Sequence, residues 1–279
     1  MRSRPSIRLM IFLAFGFAFL YIPIMILIIY SFNASKLVTV WGGFSAQWYG
    51  KLLEDQSILD AFWNSLQIAF FTACVATMLG TIAGYVMARF GRFRGHSAFA
   101  STVTAPLVMP EIIDGLAALL LFVSLERLIG WPQGRGMMTI GIAHITFTTA
   151  FVAIIVSSRL RDMDLSIEEA AMDLGAPPLK VFFVITLPII SPALISGWLL
   201  SFTLSMDDLV ITSFVAGPGS TTLPMKVFSA ARLGVSPKIN AIGSLIVLVA
   251  AIIVITSGII SAKLEKKRKL EAEQAFEAA

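Results

Sequence analysis

The chain has 279 residues, of which 57% are hydrophobic and only 14% are charged, with a net charge of +4. Because an average soluble domain carries about 25% charged residues, this composition argues against a soluble domain and points to a lipid environment. Cys74 is the only cysteine, which excludes a disulfide within the chain, and its place in an apolar run predicts a small packing residue.

Charged residues cluster between long apolar runs, and a helix needs about 20 apolar residues to cross a bilayer. Backbone groups in hydrocarbon must find partners within their own segment, so runs of this length are predicted to be helices. The sequence therefore predicts an all-α, polytopic membrane protein with six transmembrane helices in a single domain, 1–279. The predicted spans are 9–31, 63–88, 98–125, 137–158, 189–213 and 239–262.

The distribution of basic residues predicts the orientation of these spans. The N-terminus, the second and fourth connections and the C-terminal tail together hold 14 of the 21 lysines and arginines. Since Lys and Arg are enriched on the cytoplasmic side, these segments and both termini are predicted to be cytoplasmic. The apolar run of the first span is too long for a signal peptide and no cleavage site follows it, so we expect this span to be retained.

The first external connection is rich in aromatic residues. Phe44, Trp48 and Leu52 recur at helical spacing, which predicts a short helix along the outer membrane interface. Two interpretations remain open. The helix is either an aromatic anchor at the level of the lipid headgroups or a gate in which Trp48 contacts a cation.

The third span contains two carboxylates, Glu111 and Asp114. An ionisable group inside a bilayer is costly enough to count as functional by default. Pro106 and Pro110 are predicted to break the helix and free backbone carbonyls before Glu111. A continuous helix would place Glu111 about 20 Å from the cytoplasmic end, in the outer half of the membrane. For Asp114, pairing with an arginine of a neighbour is the simplest interpretation.

The fourth connection, 159–188, is the longest cytoplasmic one and carries dense acidic residues. Ser166 and Glu169 fit a capping box, which predicts a short helix after them. Gly175 can supply the left-handed residue that ends this helix. The proline pair 177–178 then favours the start of a second helix, leading to the fifth span.

The fifth span ends near Asp207 and Asp208, about 28 Å beyond Pro188 if the helix is continuous. Neighbours on a helix point about 100° apart, so only one of the two can line a narrow path. We expect the other to bind a neighbouring subunit or a backbone donor, and the alternative is that both lie at the membrane interface. His144 and Asn64 are predicted to be satisfied polar groups between helices.

A spaced pattern in the fourth connection resembles a known family. It reads Glu169-Ala170-Ala171, three residues, Gly175, nine residues, Ile185, one residue, then Leu187-Pro188. This resembles the EAA loop of binding-protein-dependent ABC importer permeases. The resemblance implies the type I importer permease (MetI-like) fold and a coupling helix that docks on a separate ATPase. The residues that it assigns to ATPase coupling are Glu169, Ala170, Ala171, Gly175, Leu187 and Pro188.

The chain contains no G-x-x-x-x-G-K-[ST] phosphate loop, so ATP hydrolysis is expected on partner subunits. The resemblance implies a second permease subunit, two copies of a cytoplasmic ATP-binding subunit and a periplasmic binding protein, assembled at the bacterial inner membrane. For Glu169, a role in helix capping alone remains open beside docking. We expect no catalytic residue, metal, cofactor or nucleic-acid partner.

Further stretches resemble the polyamine subfamily of these permeases. They are Tyr30–Asn33, Trp48–Tyr49, Arg92–Gly95, Ser205–Asp208 and Thr222–Pro224, and the stretch Gly130–Pro132 is most similar to putrescine importers. The resemblance implies putrescine as the substrate, with spermidine or another small cation as the alternative. It also places Ser205 on the substrate path, although ordinary helix packing is the simpler interpretation of this residue.

The acidic residues suggest how a cation would cross. We expect Asp207, Asp208 and Glu111 to form a low-affinity acidic path, with a cation–π contact from Trp48. A path with few charges suits transport, because strong binding of the cation would slow its release.

Two other classes of protein use buried carboxylates. An ion-coupled secondary transporter would relay protons through them, but that class leaves the EAA-like segment unexplained. An intramembrane aspartyl protease needs two carboxylates on facing helices that share a proton. Asp207 and Asp208 are neighbours on one helix and cannot be arranged in this way.

Overall fold

The computed structural model describes residues 6–37, 40–91, 93–233, 237–249, 251–252 and 255. Within these residues the chain is helical and contains no strand, so the predicted all-α class is confirmed. The helices are α1 Ile7–Ser31, α2 Gln47–Leu53, α3 Gln56–Arg89, α4 His96–Thr104, α5 Glu111–Ile129, α6 Met137–Arg161, α7 Leu165–Asp173, α8 Pro178–Val181, α9 Leu187–Asp207, α10 Val210–Val215, α11 Leu223–Leu233 and α12 Pro237–Val249.

Four helices in the described part of the chain are long and apolar enough to cross a bilayer: α1, α3, α6 and the continuous stretch Pro178–Asp207. The bent pair α4 and α5 would make a fifth span. The predicted sixth span, 239–262, begins in α12, and its second half lies mostly outside the described residues, as does the basic tail. The count of six spans and the orientation of the termini therefore remain predictions.

The third predicted span is not one straight helix. α4 gives way to a 3₁₀ turn, Ala105–Leu107, and α5 begins at Glu111 after a bend of 109°. Pro106 lies at the start of the 3₁₀ turn and Pro110 is the residue that precedes α5. Neither proline can donate a backbone hydrogen bond, which explains the break. The break predicted from these two prolines is therefore confirmed, whereas the depth of Glu111, which was estimated for a straight helix, does not hold.

The described residues divide into two compact units, with boundaries after Gln56 and after Phe228. The first unit combines the described residues up to Gln56 with those after Phe228, and the second is Ser57–Phe228. In the first unit, the loop after α1 folds around the buried side chain of Asn33. Its Oδ1 accepts from the backbone N–H of Ser35 (3.1 Å) and of Gly42 (2.8 Å). Trp48 of α2 donates its indole N–H to the carbonyl of Asn33 at 2.6 Å, so α2 is fixed to this loop.

The second unit contains α3 to α10 and is built around α6. One buried cluster consists of Val152, Val156 and Leu160 of α6 with Ile190 of α9. The other joins α6 to α3, α5 and α10, through Ile68, Phe122, Ile140, Ala143, Phe147, Ile211 and Val215. α6 therefore supplies the central packing surface of this unit.

Small residues let α3 lie directly against α6. A Cβ atom at Gly84 would lie 2.7 Å from the carbonyl oxygen of Ala153, and one at Gly80 would lie 2.6 Å from Cβ of Val152. Both distances are shorter than van der Waals contact, so no larger residue fits without separating the helices. Close approach through small residues is the usual way in which helices associate in membranes.

Candidate functional site

The segment between α6 and α9 begins with a well-defined cap. Asp164 precedes α7, and its carboxylate accepts from the backbone N–H of Ser166 at 3.0 Å. This hydrogen bond, with that of the Ser166 hydroxyl, lowers the pKa of Asp164 below its usual value. The cap is therefore present at neutral pH and weakens as the pH falls through that lowered pKa. The predicted capping box of Ser166 and Glu169 was wrong, because Asp164 offers a carboxylate to the first turn.

The end of α7 is a tight left-handed turn at Gly175, as predicted. Gly175 has φ +84° and donates its N–H to the carbonyl of Met172 at 2.8 Å. Ala176 donates to the carbonyl of Ala171 at 3.1 Å. This pair of bonds is a Schellman motif, which favours glycine at the left-handed position. Glu169 and Ala170 are exposed on the surface of α7, and Ala171 is half-buried.

Glu168, next to Glu169, has the opposite environment. It is 6% exposed, and its Oε2 lies 3.0 Å from Nε of Arg89 at the end of α3. Its Oε1 accepts from the hydroxyl of Thr186 at 2.7 Å. Sequence analysis missed this residue, although neighbours on a helix point about 100° apart, so an outward Glu169 is compatible with an inward Glu168. The contacts tie α7 to α3 and to the segment before α9.

α8 continues into α9 through a π-helical turn, Phe182–Thr186. π-helical turns are rare and frequently occur at functional sites. Leu187 and Pro188 follow this turn directly as the first two residues of α9, and Pro188 has no backbone N–H to donate to the preceding turn. The stretch Pro178–Asp207 is thus one continuous helical rod that starts immediately after the turn at Gly175 and ends at the acidic pair.

At the far end of this rod the helix breaks at Asp208. This residue is extended, with ψ 126°, and its Oδ2 accepts from the backbone N–H of Thr212 at 2.7 Å and from the Thr212 hydroxyl at 2.6 Å. Its Oδ1 accepts from the N–H of Ile211 at 3.3 Å. Asp208 therefore caps α10, which is the backbone-donor role expected for one member of the pair. It also ends α9 short of the predicted boundary at 213.

His144 of α6 fixes the break from the other side. Its Nδ1 lies 2.8 Å from Oγ of Ser205, and its Nε2 lies 3.1 Å from Oδ2 of Asp208 and 3.0 Å from Oγ1 of Thr212. The prediction that His144 is a satisfied polar group between helices is confirmed. A Ser–His–Asp set also occurs in hydrolases, but there Ser binds Nε2 and Asp binds Nδ1. Here Nδ1 binds Ser205 and Nε2 binds Asp208, which is the reverse arrangement, and Ser205 is 5% exposed. The network therefore joins α6 to the end of α9.

Two more of the predicted path residues lie on exposed surface of the same unit. Asp207 is the last residue of α9, and Glu111 is the first residue of α5. Asp207 thus differs sharply from its neighbour Asp208, whose side chain is 5% exposed. The structure brings Ser205 and Asp208 together through His144, and it leaves Asp207 and Glu111 with free surface.

Trp48 belongs to the first unit and is 5% exposed. Nζ of Lys51 lies 4.5 Å from its ring centroid, so a cation–π contact is already made within α2. The predicted short helix is present as α2, in which Trp48 and Leu52 are buried. Phe44, which was expected to share this helix, lies before its start and is exposed.

Comparison with known proteins identifies the family. The family model described as "Binding-protein-dependent transport system inner membrane component" matches residues 76–269. This chain belongs to that family. It is therefore a permease component of a transport system and a multi-pass membrane protein.

Two relatives within the permease family span nearly the same length. The chain is 58% identical over 278 residues to the putrescine transport system permease protein PotI of Escherichia coli (strain K12), covering 99% of each protein. It is 39% identical over 245 residues to the spermidine/putrescine transport system permease protein PotC of the same strain, covering 88% of this chain and 90% of PotC.

Solved structures of ABC importers share the fold of this permease. A chain of a bacterial transporter involved in the import of alginate aligns with a TM-score of 0.68 at 18% identity, covering 93% of this chain and 98% of that one. A chain of the MetNI methionine transporter aligns with a TM-score of 0.57 at 15% identity, covering 72% and 92%. The fold is that of type I ABC importer permeases.

Proposed function

We propose that this chain is the transmembrane permease subunit of an ATP-driven importer that moves polyamines, with putrescine as the main substrate, across the bacterial inner membrane. The observation that supports putrescine as the substrate is the 58% identity with PotI along 99% of the chain. Alternating access would expose the path to each side of the membrane in turn, and ATP hydrolysis would occur on separate subunits.

The α7 helix is the part that would receive the motion of the ATPase. Glu169 and Ala170 lie exposed on it, and a small Ala170 side chain allows a partner surface to approach the helix closely. The Schellman turn at Gly175 sets the angle between α7 and the rod that follows. We infer that a cleft on the ATP-binding subunit holds α7 and that Glu169 pairs with a cation there.

Displacement of α7 would then be passed on through two connections. One is covalent, because the turn at Gly175 leads directly into the rod Pro178–Asp207. The other is the buried contact of Glu168 with Arg89 and Thr186, which joins α7 to α3 and to the rod. Both lead from the proposed docking helix to the acidic break at Asp208.

On the substrate path we assign different roles to the acidic residues. Asp207 and Glu111 have exposed carboxylates and would supply compensating charge to a passing cation. Asp208 and Ser205 are held by His144 and would shape the path by fixing the end of α9. Trp48, with its ring under Lys51, would act at the outer interface of the first unit.

The proposed partners are a second permease subunit, two copies of a cytoplasmic ATP-binding subunit and a periplasmic polyamine-binding protein. Spermidine is the alternative substrate, and the observation that favours it is the 39% identity with PotC. Uptake of labelled putrescine in competition with spermidine and spermine, by the complex in proteoliposomes, distinguishes the two.

The same proteoliposomes test the energy source. We expect uptake to require ATP on the side of the membrane that carries the ATP-binding subunits. Uptake should persist when an uncoupler abolishes the proton gradient. Gly175→Asp should abolish uptake by distorting the turn between α7 and the rod, with the ATP-binding subunits partly lost from the purified complex. Uptake that continues without ATP and stops with the uncoupler would instead identify an ion-coupled transporter.

A further inference from the structure

A cavity of about 210 Å³ lies in the second unit beside the bend between α4 and α5. Pro106 of the 3₁₀ turn and Asp114 of the first turn of α5 both line it, so the bend forms part of its wall. The opposite wall is supplied by α6, with Thr146 and Phe147. We call this space the Asp114 cavity.

Asp114 is the charged residue in the lining of this cavity. Its Oδ2 is shielded from solvent and accepts no hydrogen bond from any residue that the structure describes. The N-terminal end of α5 favours a carboxylate at this position, which reduces the cost of the charge. The helix end does not replace a hydrogen-bond donor. An unsatisfied carboxylate oxygen inside a membrane protein costs enough free energy to indicate a missing partner.

The rest of the lining indicates the chemistry of that partner. Thr146 donates its hydroxyl hydrogen to the carbonyl of Ile142 at 2.9 Å, so a ligand would meet its oxygen as an acceptor. The remaining surface is apolar, with Ala117 and Leu121 on α5 and the buried ring of Phe147 on α6. A ligand that fits must donate hydrogen bonds, carry positive charge and present a hydrocarbon body, and the face of a phenyl ring adds attraction for a cation.

We propose that the Asp114 cavity is a binding subsite for one ammonium end of an aliphatic amine, with the alkyl chain against Ala117, Leu121 and Phe147. This proposal rests on the proposed polyamine transport and adds to it a site outside the acidic pair at the end of α9. Because the cavity offers a single carboxylate, it recognises one end of a diamine and leaves the other end free to meet a second charge on the path.

A basic side chain of the second permease subunit would have the same chemistry as an ammonium group. The two sources differ in what the loss of Asp114 changes. If the donor is the substrate, the complex assembles normally and loses its response to the amine. If the donor belongs to the neighbouring subunit, the complex loses that subunit.

The test uses the purified complex of both permeases with the ATP-binding subunits, without the binding protein, and measures thermal stabilisation by added amine. We expect putrescine and butylamine to raise the midpoint of unfolding of the wild-type complex, and butanediol, which has no charge, to leave it unchanged. Asp114→Asn should raise the amine concentration needed for half of this effect by about tenfold or more. Ala117→Leu, which fills the cavity from an exposed position, should do the same.

Glu126→Gln is the matched control, because Glu126 is an exposed carboxylate on the same helix and does not line the cavity. It should respond to putrescine as the wild type does. The proposal is overturned if Asp114→Asn retains the wild-type response, if it reduces recovery of the second permease, or if the wild-type complex shows no amine effect. In the last case, ATP-dependent uptake by the complete system still tests the proposed function separately.

Discussion

Glu168 and Glu169 are neighbours in the sequence, and the structure gives them opposite environments. Glu168→Gln should leave Arg89 buried without a counter-charge, and removal of one member of a buried ion pair costs about 3 kcal/mol. We expect a clear fall in the unfolding midpoint of the purified complex. The measurement is thermal unfolding in detergent, followed by loss of the soluble complex.

Glu169→Gln is the matched variant for this experiment. Because Glu169 is exposed on α7, the substitution should leave the unfolding midpoint within error of wild type and reduce ATP hydrolysis stimulated by the loaded binding protein. Equal destabilisation by both substitutions would contradict the assignment of Glu168 to internal support and Glu169 to docking.

The acidic pair at the end of α9 allows a second comparison. Asp208→Ala removes the cap of α10 and leaves His144 without its carboxylate, which should cost about 2 kcal/mol of stability. Asp207→Ala should leave stability unchanged and lower polyamine uptake, since this carboxylate is exposed. Wild-type uptake by the Asp207→Ala complex would remove Asp207 from the path.

The sequence indicates candidate polar residues more readily than it indicates what each one contacts. Gly175 was predictable because only one backbone conformation ends a helix in that way. The partner of Glu168 was not, since Arg89 lies 79 residues away in the chain. The unequal environments of Asp207 and Asp208 depend on a helix break that the apolar pattern does not reveal.

At the scale of elements, the contact between α3 and α6 depends on glycine. Gly84→Ala places a Cβ against the carbonyl oxygen of Ala153, and overpacking of this kind costs about 1–3 kcal/mol. Gly141→Ala is the control on α6, because a Cβ there meets no atom within 4 Å. We expect the first variant to lower the unfolding midpoint and the second to leave it unchanged or raise it slightly. The reverse order would show that the close approach of the two helices does not limit stability.

The helices with long uninterrupted apolar runs were predictable, and the irregular elements were not. α1 and α6 begin and end within three residues of the predicted spans. The prolines at 106 and 110 predicted a break, but the angle of 109° depends on tertiary packing. The π-turn Phe182–Thr186 has no signature in the sequence that distinguishes it from an α-helix.

For the whole molecule, the fold class and the family could be predicted from composition and from the pattern Glu169 to Pro188. The Asp114 cavity could not, because it is formed by a bend that brings α5 and α6 around a shared space. From the sequence, pairing with an arginine of a neighbour was the simplest interpretation of Asp114, because the spacing of residues along one span does not show which residues of another helix lie opposite.

The central claim is that α7 docks on an ATP-binding subunit. The most direct test is cross-linking from Ala170→Cys in a chain whose Cys74 is replaced by Ala, with a short thiol-to-amine reagent and the assembled complex. The cysteine at position 170 should cross-link to the ATP-binding subunit, with a yield that changes when nucleotide binds. Glu126→Cys, at an exposed position predicted to lie near the outer side, should give no such product. Absence of the cross-link from position 170, together with labelling of that cysteine only from outside the cell, would contradict the account.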